Sequence, residues 1–172
     1  DRTGLPKATV SRLTYTLCLM GYLKQADDGR YQLGIGVHSL AHPLLASLEN
    51  RRLARPVLQE LSEASGCTVN LAALDRTNAV HIDTVRSDLV NPYLPDVGSV
   101  SPLLRSAIGR ALLLAHTANE RSRLLNQLKI YDAAQYAECL EFLAPDEALF
   151  RAKGYCRARG PWLSDIDAIA VP

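Results

Sequence analysis

The stretch Gly4-Leu5-Pro6-Lys7-Ala8-Thr9-Val10-Ser11-Arg12-Leu13, carried on by Thr14 to Met20, decides how the chain begins to fold. Gly4 permits a tight turn at positive φ. Pro6 suits the first turn of a helix, where a missing N–H costs nothing. Val10, Leu13, Leu17 and Met20 then recur at spacings of three and four, which predicts a helix with one buried stripe. Lys7, Ala8, Ser11, Arg12 and Tyr15 fall largely outside that stripe. A helix led by a glycine turn, with small polar and basic residues at its start, has the layout of one that enters the DNA major groove by its N-terminal end.

Working outward, Gly21 ends the helix and Tyr22-Leu23-Lys24-Gln25 alternates as a strand does. Asp27-Asp28-Gly29 reads as a hairpin turn, because Asp-Gly accommodates positive φ. Arg30-Tyr31-Gln32-Leu33 is the returning strand, with Arg30 near the tip. Helix, strand, turn, strand is the second half of a winged helix. The same pattern also serves as a protein-interaction module, and a basic helix face is commonly just solvated.

The chain has 172 residues, 48% hydrophobic and 22% charged, which suits one medium or two small globular domains. Its net charge of +1 does not by itself point to a polyanion. Residues 1–37 hold five basic and three acidic groups, and the rest hold fourteen and fifteen, so the small excess of positive charge lies at the start. Cys18, Cys67, Cys139 and Cys156 stand far apart without a C-x-x-C pair. Reduced, mostly buried thiols in a cytoplasmic protein are expected. No apolar run approaches the roughly 20 residues of a membrane span. No cofactor or metal is expected.

Residues 36–50 form a modest helical pattern interrupted by Pro43, with Val37, Leu40, Leu44 and Leu48 as its apolar stripe. Leu53 to Ser65 reads as a helix with Pro56 in its first turn and Val57, Leu58 and Leu61 on one face. Thr68–Leu74 and Ala79–Val85 read as two strands of an antiparallel hairpin turning at Asp75-Arg76-Thr77-Asn78. Leu103–Leu114, Glu120–Leu128 and Pro145–Lys153 read as helices, and Ile169-Ala170-Val171-Pro172 as a strand. Helices outside an antiparallel sheet make an α+β domain.

Several of these residues match a known pattern. Gly4 to Leu13, Gly21-Tyr22-Leu23 and Tyr31-Gln32-Leu33-Gly34 resemble the DNA-binding domain of the isocitrate lyase regulator (IclR) family. Ser106-Ala107-Ile108-Gly109-Arg110-Ala111-Leu112-Leu113 is similar to a small-residue run in that family's effector domain, with Arg110 where a lysine is usual. Gly154-Tyr155 and Ile169-Ala170-Val171-Pro172 make a third match in order. Cys156-Arg157-Ala158-Arg159-Gly160-Pro161-Trp162 departs from the resemblance, being basic and aromatic where an acidic stretch is common. Family members usually start with another helix and a half and continue past the last strand, so both ends look cut.

The resemblance implies three parts: a partial winged helix-turn-helix at residues 1–36, a linker helix at 37–52, and a partial GAF-like effector domain at 53–172. It implies a ligand-responsive regulator of a catabolic operon that binds double-stranded operator DNA as a homodimer or dimer of dimers. Lys7, Thr9, Ser11, Arg12 and Tyr15 would meet base edges and phosphates, and Arg30 would anchor the wing. In the linker, the apolar stripe would either dimerise or pack on its own chain.

Ser106, Ala107, Ile108 and Gly109 precede or open a helix, whose N–H groups and dipole favour a carboxylate, so the expected effector is a small carboxylic acid. Leu71 and Trp162, with Val69, Leu103 and Leu104, would form apolar walls suited to an aromatic or branched acid. Core packing accounts for these residues equally well. Two alternatives stand beside this reading. One is a small-molecule sensor whose winged helix binds protein. The other is an enzyme acting on a small acid through His81 and Asp83, which alternate onto one strand face. His38 and His42 have metal-ligand spacing but no accompanying cluster, and Asp83 and Arg86 are expected as hairpin surface charges.

Overall fold

A computed structural model of the chain describes residues 4–86, 95–160 and 166–172. The chain divides into two compact units, residues 1–52 and 53–172. Both mix helices with antiparallel strands, so the fold is α+β.

In the first unit, α1 runs Lys7–Leu19, preceded by Gly4 at φ 63°. Strands β1 (Leu23–Gln25) and β2 (Tyr31–Leu33) pair antiparallel with Leu23 opposite Leu33. The turn between them closes through Gly29 N–H to the Ala26 carbonyl at 2.9 Å. Main-chain hydrogen bonds extend the hairpin and tie it to the end of α1. Gly34 N–H donates to the Tyr22 carbonyl at 2.8 Å and Gly36 N–H to the Gly21 carbonyl at 3.1 Å. A Cβ on Gly34 would stand 2.1 Å from the Gly21 oxygen, and one on Gly36 would stand 2.7 Å from it. This close approach is the physical reason for glycine at both positions.

The apolar stripe of α1 was expected to be buried and is not. Val10, Leu13, Leu17 and Met20 are all exposed, and the helix has no buried residue. One helix and one short hairpin offer too little surface to enclose it, and only Thr14 and Cys18 on α1 become half-buried.

Helix α2 covers His38–Ser47 and α3 covers Glu49–Ser65. The break between them is Leu48, whose ψ of 96° is extended. Neither proline acts as expected. Pro43 lies inside α2 without interrupting it, and Pro56 lies inside α3 rather than in its first turn, because α3 starts at Glu49. Each proline withdraws one N–H, and on an exposed helix water can take up the freed carbonyl.

In the second unit, β3 (Val69–Asp75) and β4 (Asn78–Val85) form the expected hairpin, tight enough that Arg76 takes φ 54°. A bulge at Leu71/Ala72 sets Asp83 opposite Leu71 and His81 opposite Ala72. A third strand, β5 (Val100–Pro102), pairs with β4. Helix α4 (Ala107–Ala115) starts four residues later than expected, because Leu103–Arg105 form a turn and Ser106 is the N-cap. Helices α5 (Ala118–Tyr131), α6 (Ala133–Cys139) and α7 (Leu143–Lys153) follow, of which α6 had no clear periodic signal. Strands β6 (Cys156–Arg159) and β7 (Asp167–Ala170) make a second sheet.

The core is organised by α4, which packs on both sheets. Leu103, Leu104, Leu113 and Leu128 form one buried cluster. Ala107, Ala111, Leu114, Cys156 and Ala158 form the other. The thiols are less buried than expected: Cys156 is buried, Cys18 half-buried and Cys67 exposed, all three free. Among the described residues, no helix is long and apolar enough to cross a membrane.

Candidate functional site

The first candidate surface is the start of α1. Lys7, Ser11 and Tyr15 follow one another at four-residue spacing, so they rise along one side of the helix with Arg12 beside them. Thr9 lies further round, between the sides carrying Arg12 and Leu13. All five are exposed. Thr14 and Thr16 turn their hydroxyls back to the carbonyls of Val10 and Arg12, at 2.6 and 3.0 Å, which uses their one donor proton within the helix. Arg30 stands at the hairpin tip, its side chain 87% exposed and 3.4 Å from Asp28. An ion pair so exposed holds an arginine weakly.

The second candidate site is the Ser106–Gly109 run. Ser106 Oγ donates to the Pro102 carbonyl at 2.7 Å and accepts from Gly109 N–H at 3.0 Å. This is an ordinary N-cap, and it occupies one of the helix-terminal donors that a carboxylate would use. Ser106, Ala107 and Gly109 are buried and Ile108 is half-buried. A Cβ on Gly109 would come within 2.3 Å of the Leu103 carbonyl oxygen. The small residues thus let α4 seat against the 103–105 turn. Leu71 is half-buried on β3 beside the bulge, and Trp162 lies outside the described residues. A cleft of about 210 Å³ opens near the turn, lined by Pro102, Arg105, Asp132, Ala134, Gln135 and Glu138, with none of the expected effector residues among them.

The His81 and Asp83 side chains share the buried face of β4 but are engaged separately. His81 Nε2 meets Ser101 Oγ of β5 at 2.7 Å. Burial holds its imidazole below the ordinary value, against a weaker upward pull from Asp96. Asp83 is fully buried and ion-paired with Arg55 of α3, and it accepts from Thr84 N–H at 2.9 Å. The expectation of Asp83 as a surface charge is therefore wrong. Its place on the inward side of an alternating strand put it in the core, and Arg55 reached in to neutralise it. Arg86 is the more exposed of the two and pairs with Asp96 at 2.8 Å. The rings of His38 and His42 stack at 6.2 Å. Among the described residues, no three His, Cys, Asp or Glu side chains gather as a metal cage.

Sequence reading missed the role of Arg110. Its guanidinium is enclosed between α4, α7 and β6, bonded to Asp146 at 2.6 Å, the Leu104 carbonyl at 2.5 Å and the Arg157 carbonyl at 2.9 Å. It also lies 5.8 Å from the centre of the Phe142 ring. Asp146 in turn accepts from Arg157 N–H at 3.2 Å. Burial, and then the neighbouring Asp146 carboxylate, push the Cys156 thiol up to about 12, so it stays protonated and inert. A signal was present: Arg110 falls on the same helix side as Ala107, Ala111 and Leu114.

Comparison with known proteins places this architecture. The model of the bacterial transcriptional regulator IclR C-terminal domain matches residues 42–172, and that of the IclR helix-turn-helix domain matches residues 1–27. The chain is 32% identical to the HTH-type transcriptional regulator TsaQ1/TsaQ2 of Comamonas testosteroni, over 99% of this chain and 63% of that protein. It is similar to the crystal structure of an IclR family transcriptional regulator from Brucella abortus, with TM-score 0.88 and 37% identity, over 99% of this chain and 65% of that one. In fold it is also similar to an IclR homolog from Microbacterium hydrocarbonoxydans complexed with 4-hydroxybenzoate, with TM-score 0.65 and 23% identity, over 99% of this chain and 71% of that one. The chain thus spans 63% of the length of the curated relative and somewhat more of the solved ones. A helix-and-hairpin start, an α+β domain organised by one central helix, and family models that match residues 1–27 and 42–172 give one answer: the chain belongs to the IclR family of bacterial transcriptional regulators.

Proposed function

We propose that this chain is part of a ligand-responsive transcriptional regulator that binds operator DNA as a homodimer or dimer of dimers in the cytoplasm. Residues 1–36 would read DNA, 37–52 would link, and 53–172 would bind the effector. The observation that carries the reading is the exposed start of α1, where Lys7, Ser11, Arg12 and Tyr15 cluster behind a glycine turn and beside a hairpin tipped by Arg30. Thr9 belongs to the same contact set, reaching the duplex from the other rim. In this reading Arg12 and Lys7 take guanine edges or phosphates, while Ser11 and Thr9 allow close approach.

The effector in this reading is a small carboxylate, held in the second unit near Ser106–Gly109, Leu71 and Trp162, and the regulated genes are catabolic. Aromatic acids such as 4-hydroxybenzoate are the first probes to try. Binding would shift the population between two arrangements of the paired recognition helices. The enzyme reading through His81 and Asp83 is not retained, because Ser101 and Arg55 already engage those side chains.

The test is a binding titration on duplexes selected by the protein from random sequence, repeated across salt. Affinity should fall steeply as salt rises. Arg12→Ala should weaken it by about 1–3 kcal/mol. If the protein selects no duplex, or if Arg12→Ala and Lys7→Ala leave affinity unchanged, this surface does not read DNA and the protein-binding alternative takes its place.

A further inference from the structure

We propose that the Arg55–Asp83 ion pair is a latch that holds the leading end of α3 against β4, with Pro56 as its hinge, and that opening it is a step in regulation. Asp83 sits on the inward side of β4 with its side chain 1% exposed, whereas the Arg55 side chain is 44% exposed. The two ends of the pair therefore differ. Arg55 can withdraw into water with little penalty to itself. Asp83 cannot follow, and a buried carboxylate deprived of its cation is strongly disfavoured. The pair stays shut until something else satisfies or displaces that carboxylate.

The helix is built to move when the pair opens. Among the described residues its main chain runs alongside no other element over any length, so side chains hold it in place. Leu58 and Ser62 are its buried residues, and Ser62 Oγ donates to the Cys67 carbonyl at 2.8 Å. Both lie after Pro56. Arg55 lies immediately before it, three residues from Leu58 and so on the same side of the helix. Pro56 has no N–H to give the Arg52 carbonyl, so the helix lacks a hydrogen bond where its two differently held parts meet. Proline positions of this kind are where helices bend. The part after Pro56 is seated by burial. The part before it, Glu49 to Arg55, gains its hold on β4 through Arg55, and it leads back through the break at Leu48 into α2. At the other end of the pair, Asp83 is matched across the ladder with Leu71, beside the bulge. A shift of β3 at Leu71 therefore reaches the acceptor directly. Leu71 is a wall of the proposed effector site, and the step from ligand to latch rests on that proposal.

Hydrogen exchange read amide by amide on the full chain tests the latch without ligand or DNA. In the wild type the amides of Arg52 to Arg55 should be protected. Asp83→Asn keeps an acceptor for Thr84 N–H and removes the charge. It should speed exchange at those amides by about tenfold or more and leave Leu58 to Ser65 unchanged. Arg55→Met should act in the same way, and Asp83→Asn decides the matter if that variant fails to fold. A latch that acts in regulation must also change operator affinity by about fivefold or more when Asp83→Asn opens it. Exchange that rises equally throughout α3 means ordinary loss of stability and refutes the hinge. Wild-type amides already unprotected before Pro56, or an Asp83→Asn variant that leaves them as slow as before, refute the latch. Loosening without a change in operator affinity removes the latch from regulation. If the wild type selects no duplex, the DNA reading fails, while exchange still decides whether the latch exists.

Discussion

Arg110 enters the sequence as a single basic residue in an apolar run and ends enclosed on every side, with Asp146 and two carbonyls filling its donor positions. Taking a guanidinium and a carboxylate out of water is costly, and their attraction repays this only while both are present. Arg110→Ala should therefore cost about 3–5 kcal/mol in urea unfolding, because it leaves Asp146 buried and uncompensated. Arg110→Met together with Asp146→Leu should cost much less than Arg110→Ala. Equal losses in the two would mean that the ion pair contributes only volume. The sequence marked this position as a departure from the usual lysine and no more. Its burial depends on a partner 36 residues downstream and on carbonyls whose direction no periodicity encodes. Gly109, one residue before, was legible as small, and the Leu103 carbonyl stands where a Cβ would otherwise be.

Strand β4 shows what an element imposes on its residues. Alternation turned Ala79, His81 and Asp83 to the interior, and the sequence pattern revealed that shared face without revealing which way it looked. For His81 the consequence is a pH dependence. An unfolded imidazole takes up its proton near 6.5, whereas burial makes the folded one resist it. The unfolded state binds more protons below that pH, so stability is held above 6.5 and declines as the solution is acidified. The urea midpoint should drop between roughly pH 7.5 and 5.5, and His81→Gln, which keeps a partner for Ser101, should flatten that drop. An identical slope in the variant would assign the effect to other groups. Long patterned elements such as α1, α3 and the β3–β4 hairpin were readable. The three-residue β5 and the seven-residue α6 were not, since neither repeats its period often enough to be distinguished from a loop.

At the level of the whole molecule, the three ordered motif matches carried the family assignment, and the domain models agree with it over residues 1–27 and 42–172. Composition alone would not have done so, because a net charge of +1 hides the basic start. The proposed ligand control has a thermodynamic signature. An effector that changes operator affinity by about 5–150-fold must have its own affinity changed by the same factor when operator is bound. Fluorescence anisotropy with and without aromatic acids measures the first, and calorimetry on the protein–DNA complex measures the second. A ligand that binds tightly in calorimetry yet leaves the operator titration unmoved is not an effector.

The meeting of Gly34 and Gly36 with Gly21 has a mechanical consequence. Side chains absorb displacement by changing rotamer, but here two lengths of main chain touch with nothing between them. A displacement at Ile35–Val37, where the chain leaves the hairpin for α2, therefore acts on the C-terminal end of α1 through main-chain contacts rather than through side chains.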